Sequence, residues 1–430
     1  MGPLRLSPWP LQVFAVDDSS VQLTWPASPA EDLEVQVGGV VARPGASPSV
    51  EVVLDAGGAR ADGARPCGEG PIRRWAHRYW DGRRPLDRGW PAGPGSVVIE
   101  GLAPGTTYDV VASAAGVPAF LAAQARTLTP PPGALLYKFA TISDLHIGEK
   151  NFGVLRRIHE AEEGPLGFRG TGTNIEAFEP LEPYPVRALR AAIDEAAAWG
   201  AQLLVAKGDL SDWTTPAEVR DVGTILAASP VPVEAVLGNH DNQFGVDARA
   251  LLEAQGVVVP WQPRAVDLPG LRLVLVNTAS GNPHLHRGEL PAQASQRIAA
   301  LTVDAPAAWV GLHHPPERHR FPTVYPPGLP FEEGVQLMEA LVGANRATFV
   351  SCGHRHRNRR YSYGPIPITE VGSTKDYPGV WAGYKVYESG LVQMVRRTSR
   401  KDVMAWTEAT RRAMNGQWKR WSPGRLEERC

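Results

Sequence analysis

The stretch "VPVEAVLGNHD", Val231 to Asp241, passes from an apolar segment straight into glycine, asparagine, histidine and aspartate. Its apolar part is typical of a buried strand. Gly238 and Asn239 alone would suit a turn, because both residue types tolerate positive φ angles. The imidazole of His240 and the carboxylate of Asp241 directly behind that turn indicate a functional site, if other parts of the chain bring partners to them.

Four further segments repeat this pattern, with metal-capable side chains directly after an apolar run. They are Asp144-Leu145-His146 after "FATIS", Gly208-Asp209 after "LLVAK", His313-His314 after "WVGL" and Gly353-His354-Arg355-His356 after "TFVSC". The apolar runs alternate with helical stretches, the clearest of which follows Pro185. Such alternation predicts an α/β layered fold, in which ligands bind at the carboxyl ends of the strands.

The chemistry of these segments predicts a metal site. Residues at i and i+2 of extended backbone point the same way, so Asp144 with His146, and His354 with His356, can each present a pair. Glycines before Asp209, Asn239 and His354 allow sharp turns. Carboxylate, imidazole and amide oxygen suit Mn, Fe, Zn or Co. Seven such groups exceed the ~4 ligands of one tetrahedral ion. Two ions about 3.5–4 Å apart, sharing a carboxylate and a hydroxide, fit better and would favour attack on phosphorus.

The ordered set DxH, GD, GNHD, H-x-P and GHxH resembles the calcineurin-like metallophosphoesterase superfamily over about Tyr137–Tyr387. The resemblance implies a four-layer αββα sandwich. It also implies that Asp144, His146 and His356 bind one metal ion, that Asn239, His313 and His354 bind the other, and that Asp209 bridges both. It further implies that His240 assists the leaving group with Asp241 orienting it, and that His314 supports the site or faces the substrate. Arg355 and Arg357, in the basic stretch "GHRHRNRR", are candidate substrate-binding residues, and a solvated basic loop is the alternative interpretation.

The favoured activity is phosphodiester hydrolysis through a metal-bridging hydroxide, acting on a small-molecule substrate. His146 and the lack of tyrosine in "GDLSDW" separate the chain from purple acid phosphatases, and Asp241 in place of glutamate separates it from serine/threonine phosphatases. A nuclease or a phosphomonoesterase of the same superfamily is the alternative. A non-catalytic binding scaffold is less favoured, because no ligand of the set is missing.

The remaining chain predicts a second domain and a tail. Residues 1–127 contain short alternating segments such as "VQLTW" and "TYDVVASA", which indicate an antiparallel β-sandwich. The phrase "GLAPGTTYDVVASAAG", with Trp25 upstream, resembles fibronectin type III domains. A Pro-rich linker at 128–134 precedes the catalytic domain at 135–395, which carries an insertion at Gly148–Pro185. The tail at 396–430 has ten Lys/Arg against four Asp/Glu and is expected to pack as a basic amphipathic segment on the catalytic domain.

Composition limits the partners and the compartment. The 44 Lys/Arg nearly balance the 45 Asp/Glu, so no overall field favours nucleic acid. Three widely spaced cysteines make no disulfide framework. No apolar run approaches the ~20 residues of a membrane span, and no secretory signal is recognised. A cytoplasmic location is therefore favoured, with secretion as the alternative, and the oligomeric state stays open.

Overall fold

A computed structural model describes residues 11–26, 34–38, 40–42, 94–114, 117–149, 182–243, 245–280, 282, 286–291, 293–411 and 417–430. The alternating segment "SVEVVL" at 49–54, which is typical of a strand, lies outside these residues. Most of the insertion predicted at 148–185 also lies outside them. The same holds for most of residues 73–95, a stretch of the N-terminal region that is rich in arginine and aromatic residues.

The N-terminal region is a β-sandwich. Its strands are β1 (Gln12–Val16), β2 (Val21–Trp25), β3 (Glu34–Val37), β4 (Val40–Ala42), β5 (Gly95–Ile99), β6 (Thr107–Ala114) and β7 (Val117–Arg126). They form two antiparallel sheets with the orders β1-β2-β5 and β4-β3-β6-β7. Leu23, Trp25 and Val110 fill the shared core. The Tyr108 hydroxyl accepts a hydrogen bond from the backbone N–H of Ala103 at 2.7 Å, which holds the turn before β6. The closer likeness to fibronectin type III domains stays a prediction.

Two further sheets carry the polar segments. The strands that form them are β8 (Leu135–Ile142), β9 (Leu204–Lys207), β10 (Val233–Val236), β11 (Arg264–Leu268), β12 (Leu271–Val276), β13 (Ala308–Leu312), β14 (Thr348–Cys352), β15 (Arg359–Tyr363), β16 (Ile366–Glu370), β17 (Val380–Tyr387) and β18 (Gly390–Arg397). One sheet has the order β10-β9-β8-β17-β18 and the other β11-β12-β13-β14-β16-β15. The five apolar runs that precede the polar segments all form strands, namely β8, β9, β10, β13 and β14.

Helices cover the outer faces of this pair of sheets. They are α1 (Tyr184–Ala198), α2 (Pro216–Ala227), α3 (Ala248–Glu253), α4 (Ala294–Ala300) and α5 (Phe331–Ala344). Phe139, Trp309 and Tyr384 pack between the two sheets, with the Phe139 and Tyr384 rings stacked at 4.6 Å. Leu189 of α1 packs on one outer face and Leu337 of α5 on the other. The predicted helix–sheet–sheet–helix layering is therefore confirmed.

The C-terminal segment folds back onto the sandwich of sheets. It contains α6 (Lys401–Thr410), α7 (Gln417–Trp421) and α8 (Leu426–Arg429). Val403 is buried against Ala188 and Ala191 of α1, and the Trp406 ring stacks on Tyr184 at 3.8 Å. Strand β18 continues through Arg397, so the last sheet strand extends two residues past the boundary predicted for the tail.

Strand direction brings the polar segments together. β8, β9 and β10 are parallel to one another in the first sheet, and β13 and β14 are parallel in the second. The two sheets face each other through a common core. Their carboxyl ends therefore lie at the same edge of the fold, where a ligand site is expected.

Candidate metal centre

The polar segments after β8, β9, β13 and β14 meet in overlapping clusters. In each cluster, one potential ligand atom per residue lies within 4.8 Å of the others. The four clusters among the described residues are Asp144, His146 and His356; Asp144, Asp209 and His313; His313, His314 and His354; and His146, Asp212 and His240. The predicted convergence of these side chains is thus what the fold produces.

The first cluster brings two imidazoles together, with their ring planes tilted by 56°. The Nε2 atoms of His146 and His356 are 3.3 Å apart. His356 Nε2 lies 3.5 Å from Asp144 Oδ1, and His146 Nε2 lies 3.7 Å from Asp209 Oδ2. Two ring nitrogens and two carboxylates directed at one point form a donor set that suits a divalent ion.

The second cluster shares Asp209 with the first. His313 Nε2 lies 3.1 Å from Asp209 Oδ2, while His313 Nδ1 contacts the Lys207 carbonyl oxygen at 2.7 Å. The His354 ring centroid is 5.0 Å from that of His313. Asp209 therefore stands between the two groups of imidazoles, which is the position that a bridging ligand requires.

Buried histidine nitrogens without hydrogen-bond partners indicate whether these residues fit metal ions. Among the described residues, the buried atoms that lack a hydrogen-bond partner include His146 Nδ1, His313 Nε2 and His354 Nδ1. A buried polar atom without a partner costs about 1–3 kcal/mol. His146 Nδ1 lies 3.4 Å from the Asp212 carboxylate, on the side of the ring away from His356. His313 Nε2 and His354 Nδ1 are explained if cations satisfy them, so the donor set fits metal binding.

Asn239 and His314 are paired with each other. His314 Nε2 lies 3.2 Å from Asn239 Oδ1, and its Nδ1 contacts the Thr278 hydroxyl at 2.8 Å. The His314 side chain is fully buried. The prediction that His314 binds substrate therefore needs correction, because both of its nitrogens already have partners and it is placed to hold Asn239.

The backbone at the site is strained. Asp144, His146, Asp209, His354 and His356 all have positive φ angles, between 44° and 72°. A non-glycine residue in this left-handed region costs about 1–3 kcal/mol. The assumption that each DxH or HxH pair is extended is therefore wrong, since these pairs converge through left-handed turns instead.

Gly238 and Gly353 are required because the backbone there lies close to acidic side chains, and not because of a positive φ angle. A Cβ on Gly353 would lie 1.9 Å from Ser143 Oγ and 2.8 Å from Asp144 Oδ2, and a Cβ on Gly238 would lie 2.2 Å from Asp209 Oδ1. Neither glycine has a positive φ. Their lack of a side chain lets the backbone touch the acidic residues directly.

The electrostatics of the site set its protonation states. Burial, and then the charge of His240, lower the pKa of His146 well below its usual value, and burial and His314 do the same for His354. Burial alone would raise the pKa of Asp209, but His313 and His240 hold it well below its usual value. Burial alone would lower the pKa of His313, but the Asp209 carboxylate raises it to about 9, and the Asp144 carboxylate likewise raises the pKa of His356. Cations bind neutral imidazoles, so an ion bound at these two rings would displace their extra protons.

His240 has a different partner from the one predicted. Its Nδ1 contacts the Asp212 backbone oxygen at 2.7 Å and lies 3.8 Å from Asp212 Oδ1. The Asp241 carboxylate instead accepts backbone N–H groups of Gly238, Leu210 and Ser211 at 2.8–3.0 Å. The His240 ring is therefore in contact with Asp212, whereas the Asp241 carboxylate binds backbone N–H groups instead.

Asp212 could have been found in the sequence, because it lies three residues after Asp209 at the end of the same strand. Burial, and then the nearby Glu149 carboxylate, raise the pKa of Asp212 to about 7.

The two arginines predicted to bind substrate lie in ion pairs. Arg355 contacts Glu317, and Arg357 Nε lies 2.5 Å from Glu370 Oε2. The Arg355 side chain is 4% exposed and that of Arg357 is 11% exposed. Buried guanidinium groups paired with carboxylates are not available to a substrate anion, so this part of the site prediction is corrected.

Comparison with known proteins identifies the family. Residues 137–358, more than half of the 430, match the family model of calcineurin-like phosphoesterases. No curated protein sequence matches the chain significantly.

Similar solved structures include a purple acid phosphatase from yellow lupin (Lupinus luteus) seeds and PhoD. The first is 12% identical with a TM-score of 0.41 and covers 92% of this chain and 73% of that chain. The second is 10% identical with a TM-score of 0.36 and covers 96% of this chain and 99% of that chain.

The helices of the structure can be compared with the length that a membrane span requires. Among the described residues, no helix has the length and apolar character needed to cross a membrane.

The range matched by the family model contains all seven of the side chains predicted as ligands, from Asp144 to His356. The chain therefore belongs to the calcineurin-like phosphoesterase family and is a phosphoric ester hydrolase.

Proposed function

We propose that the protein hydrolyses phosphodiesters with two metal ions. The observation that carries this proposal is the set of buried imidazole nitrogens without hydrogen-bond partners around Asp209. One ion would be held by Asp144, His146 and His356, and the other by Asn239, His313 and His354. Asp209 would bind both ions. When bound, such ions neutralise phosphoryl oxygens and activate water.

The metal type follows from the donors. Imidazole, carboxylate and amide oxygen suit Mn, Fe or Zn, and no thiolate takes part in the proposed set. Cys352 is fully buried, and burial raises the pKa of its thiol. A neutral, buried thiol is inert, so the proposed mechanism does not use Cys352.

His240 is proposed to protonate the leaving oxygen. Its bond from Nδ1 to the Asp212 carbonyl requires a proton on Nδ1, since a carbonyl only accepts. That bond fixes the ring and leaves Nε2 as the nitrogen that can exchange a proton with substrate. The side chain is 27% exposed, which gives substrate access to it.

The charge of the surroundings supports a diester over a monoester. A monoester carries a charge of about −1.5 to −2 at neutral pH, whereas a diester carries one negative charge. Arg355 and Arg357 are paired with Glu317 and Glu370 and add no positive charge for a second anionic oxygen. The metal site alone can balance the single charge of a diester.

The test compares bis-p-nitrophenyl phosphate with p-nitrophenyl phosphate, both with Mn²⁺ added to metal-free protein. We expect a higher kcat/KM for the diester, and no hydrolysis when a chelator is present. Preference for the monoester would overturn the diesterase assignment. Hydrolysis that persists in chelator would overturn the role of the metal ions.

A further inference from the structure

The segment Ser373–Asp376 lies directly against the first cluster. The Ser373 hydroxyl donates to the Asp144 carbonyl oxygen at 2.8 Å, and the Thr374 N–H donates to the Ser143 carbonyl oxygen at 2.9 Å. Asp376 Oδ2 lies 2.7 Å from His356 Nδ1. One short segment therefore contacts both Asp144 and His356, whose ligand atoms are 3.5 Å apart.

The bond to Asp376 determines how His356 can act. A carboxylate accepts, so Nδ1 of His356 carries the proton and Nε2 is left as the donor nitrogen. It is Nε2 that lies 3.3 Å from His146 Nε2. A carboxylate behind a metal-binding histidine fixes the ring orientation and increases the basicity of its other nitrogen.

The Asp376 carboxylate is held in turn by the buried ammonium group of Lys375. Its side chain is fully buried, and Lys375 Nζ donates to both of its carboxylate oxygens at 2.9 Å. The Lys375 ammonium also pairs with Glu149. The Tyr184 hydroxyl donates to the Lys375 carbonyl oxygen at 2.6 Å, which ties this segment to α1. Lys375 thus anchors both oxygens of the carboxylate, one of which also contacts His356.

We propose that Asp376, anchored by Lys375, is a positioning residue that aims His356 at a metal ion and strengthens the binding of that ion. The proposal rests on the proposed function, because it needs an ion at His356. Asp376 does not contact the reacting atoms and acts only through His356.

The experiment measures Mn²⁺ binding to the metal-free, full-length protein by isothermal titration calorimetry. We expect two ions per wild-type chain. Asp376→Ala should weaken one of the two sites by about 10- to 100-fold, as is usual for partners of metal-binding histidines. Asp376→Asn should weaken it less, because the amide oxygen still accepts from His356 Nδ1 and keeps the same tautomer.

Asp18→Asn is the matched control. Asp18 is another paired acidic side chain, and its partner is Lys385 Nζ at 2.5 Å. Lys385 lies in β17, five residues after Val380, the first residue of that strand. At about 3.3 Å per residue, that contact lies roughly 16 Å from the segment beside His356. Asp18→Asn should alter stability while leaving both Mn²⁺ affinities unchanged.

A kinetic readout separates positioning from general damage. The kcat/KM of Asp376→Ala should recover toward the wild-type value as Mn²⁺ rises to saturation, whereas a collapsed site would not recover. Equal affinities for Asp376→Ala and wild type would overturn the proposal and leave the proposed function standing. If Asp376→Ala does not fold, Asp376→Asn decides, and wild-type affinity there overturns the proposal. Wild-type protein that binds no Mn²⁺ overturns both.

Discussion

At the residue scale, His240 and Asp241 are neighbours with separate tasks. His240 is partly exposed and bonded to the Asp212 carbonyl, whereas Asp241 is buried and accepts three backbone N–H groups. We predict that His240→Ala lowers kcat by about 10²- to 10⁴-fold, the usual contribution of a general acid. Steady-state kinetics at saturating Mn²⁺ measures this. An unchanged kcat would remove His240 from the mechanism.

Asp241→Asn should behave differently. An asparagine has one acceptor oxygen in place of two, so it leaves at least one of the buried N–H groups of Gly238, Leu210 and Ser211 unpaired. We predict a loss of about 1–3 kcal/mol in the free energy of unfolding, together with weaker metal binding. His240→Ala should show neither effect, and chemical denaturation of both variants distinguishes them.

The sequence predicted which residues meet at the site, because strand ends and donor types can be read locally. It did not predict that Arg355 and Arg357 pair with Glu317 and Glu370. Glu370 ends β16, beside β14 in the sheet, and its distance in space from Arg357 depends on that strand pairing. Partners across a sheet are not visible in local spacing, and neither is the contact between Asp376 and His356.

At the scale of single elements, the loops after β8, β9 and β14 store backbone strain where the metal donors lie. The glycine after β14, Gly353, lets the backbone there lie directly against Ser143 and Asp144. We predict that Gly353→Ala abolishes tight metal binding, because its Cβ would lie 1.9 Å from Ser143 Oγ and would displace Asp144. Calorimetric Mn²⁺ titration measures the effect. Wild-type affinity in this variant would show that the close packing is not required.

Gly343→Ala is the control for that substitution. Gly343 lies in α5, and an added Cβ meets no atom within 4 Å among the described residues. Alanine is favoured over glycine in a helix, so the free energy of unfolding should rise by about 0.4–1 kcal/mol. Its metal affinity should equal that of the wild type.

Strand positions in the catalytic region were predictable because buried parallel strands form continuous apolar runs. The later strands were not predicted. β17 lies between β8 and β18, antiparallel to both. Its pairing with β8 joins segments more than two hundred residues apart, and sequence periodicity carries no information on such a partner.

At the scale of the whole molecule, the N-terminal sandwich and the catalytic region share a charged and apolar boundary. Lys385 of β17 pairs with Asp17 at 3.1 Å and with Asp18. Gln22 exchanges hydrogen bonds with the backbone of Arg397 at 2.7 and 2.8 Å. Phe14 is buried in the same core as Phe139. The Arg429 guanidinium lies 4.3 Å from the centroid of the Phe14 ring. The two regions should therefore unfold together.

Asp17 gives this boundary a pH dependence. Burial alone would raise its pKa, but Lys385 and Arg396 lower it below the usual value. A lowered carboxyl pKa adds stability above the unfolded value near pH 4, and this stability is lost as pH falls through the folded value. We predict that Asp17→Asn is less stable than wild type at pH 7 and that the difference shrinks from pH 4 toward pH 2. Urea unfolding across this range checks it, and a constant difference would contradict it.

The sequence predicted both regions but not their contact. Asp17 and Asp18 look like an ordinary turn after β1, and Lys385 looks like an exposed strand residue. Their pairing depends on how two separately folded sheets meet, which local patterns do not encode.

The most direct measurement is the metal content per chain, by mass spectrometry of protein saturated with Mn²⁺ and then desalted. Since Asp209 stands between both groups of imidazoles, we predict two ions in the wild type and a loss from both sites in Asp209→Asn. A wild-type content of one ion or none, or an unchanged content of two in Asp209→Asn, would contradict the dinuclear site.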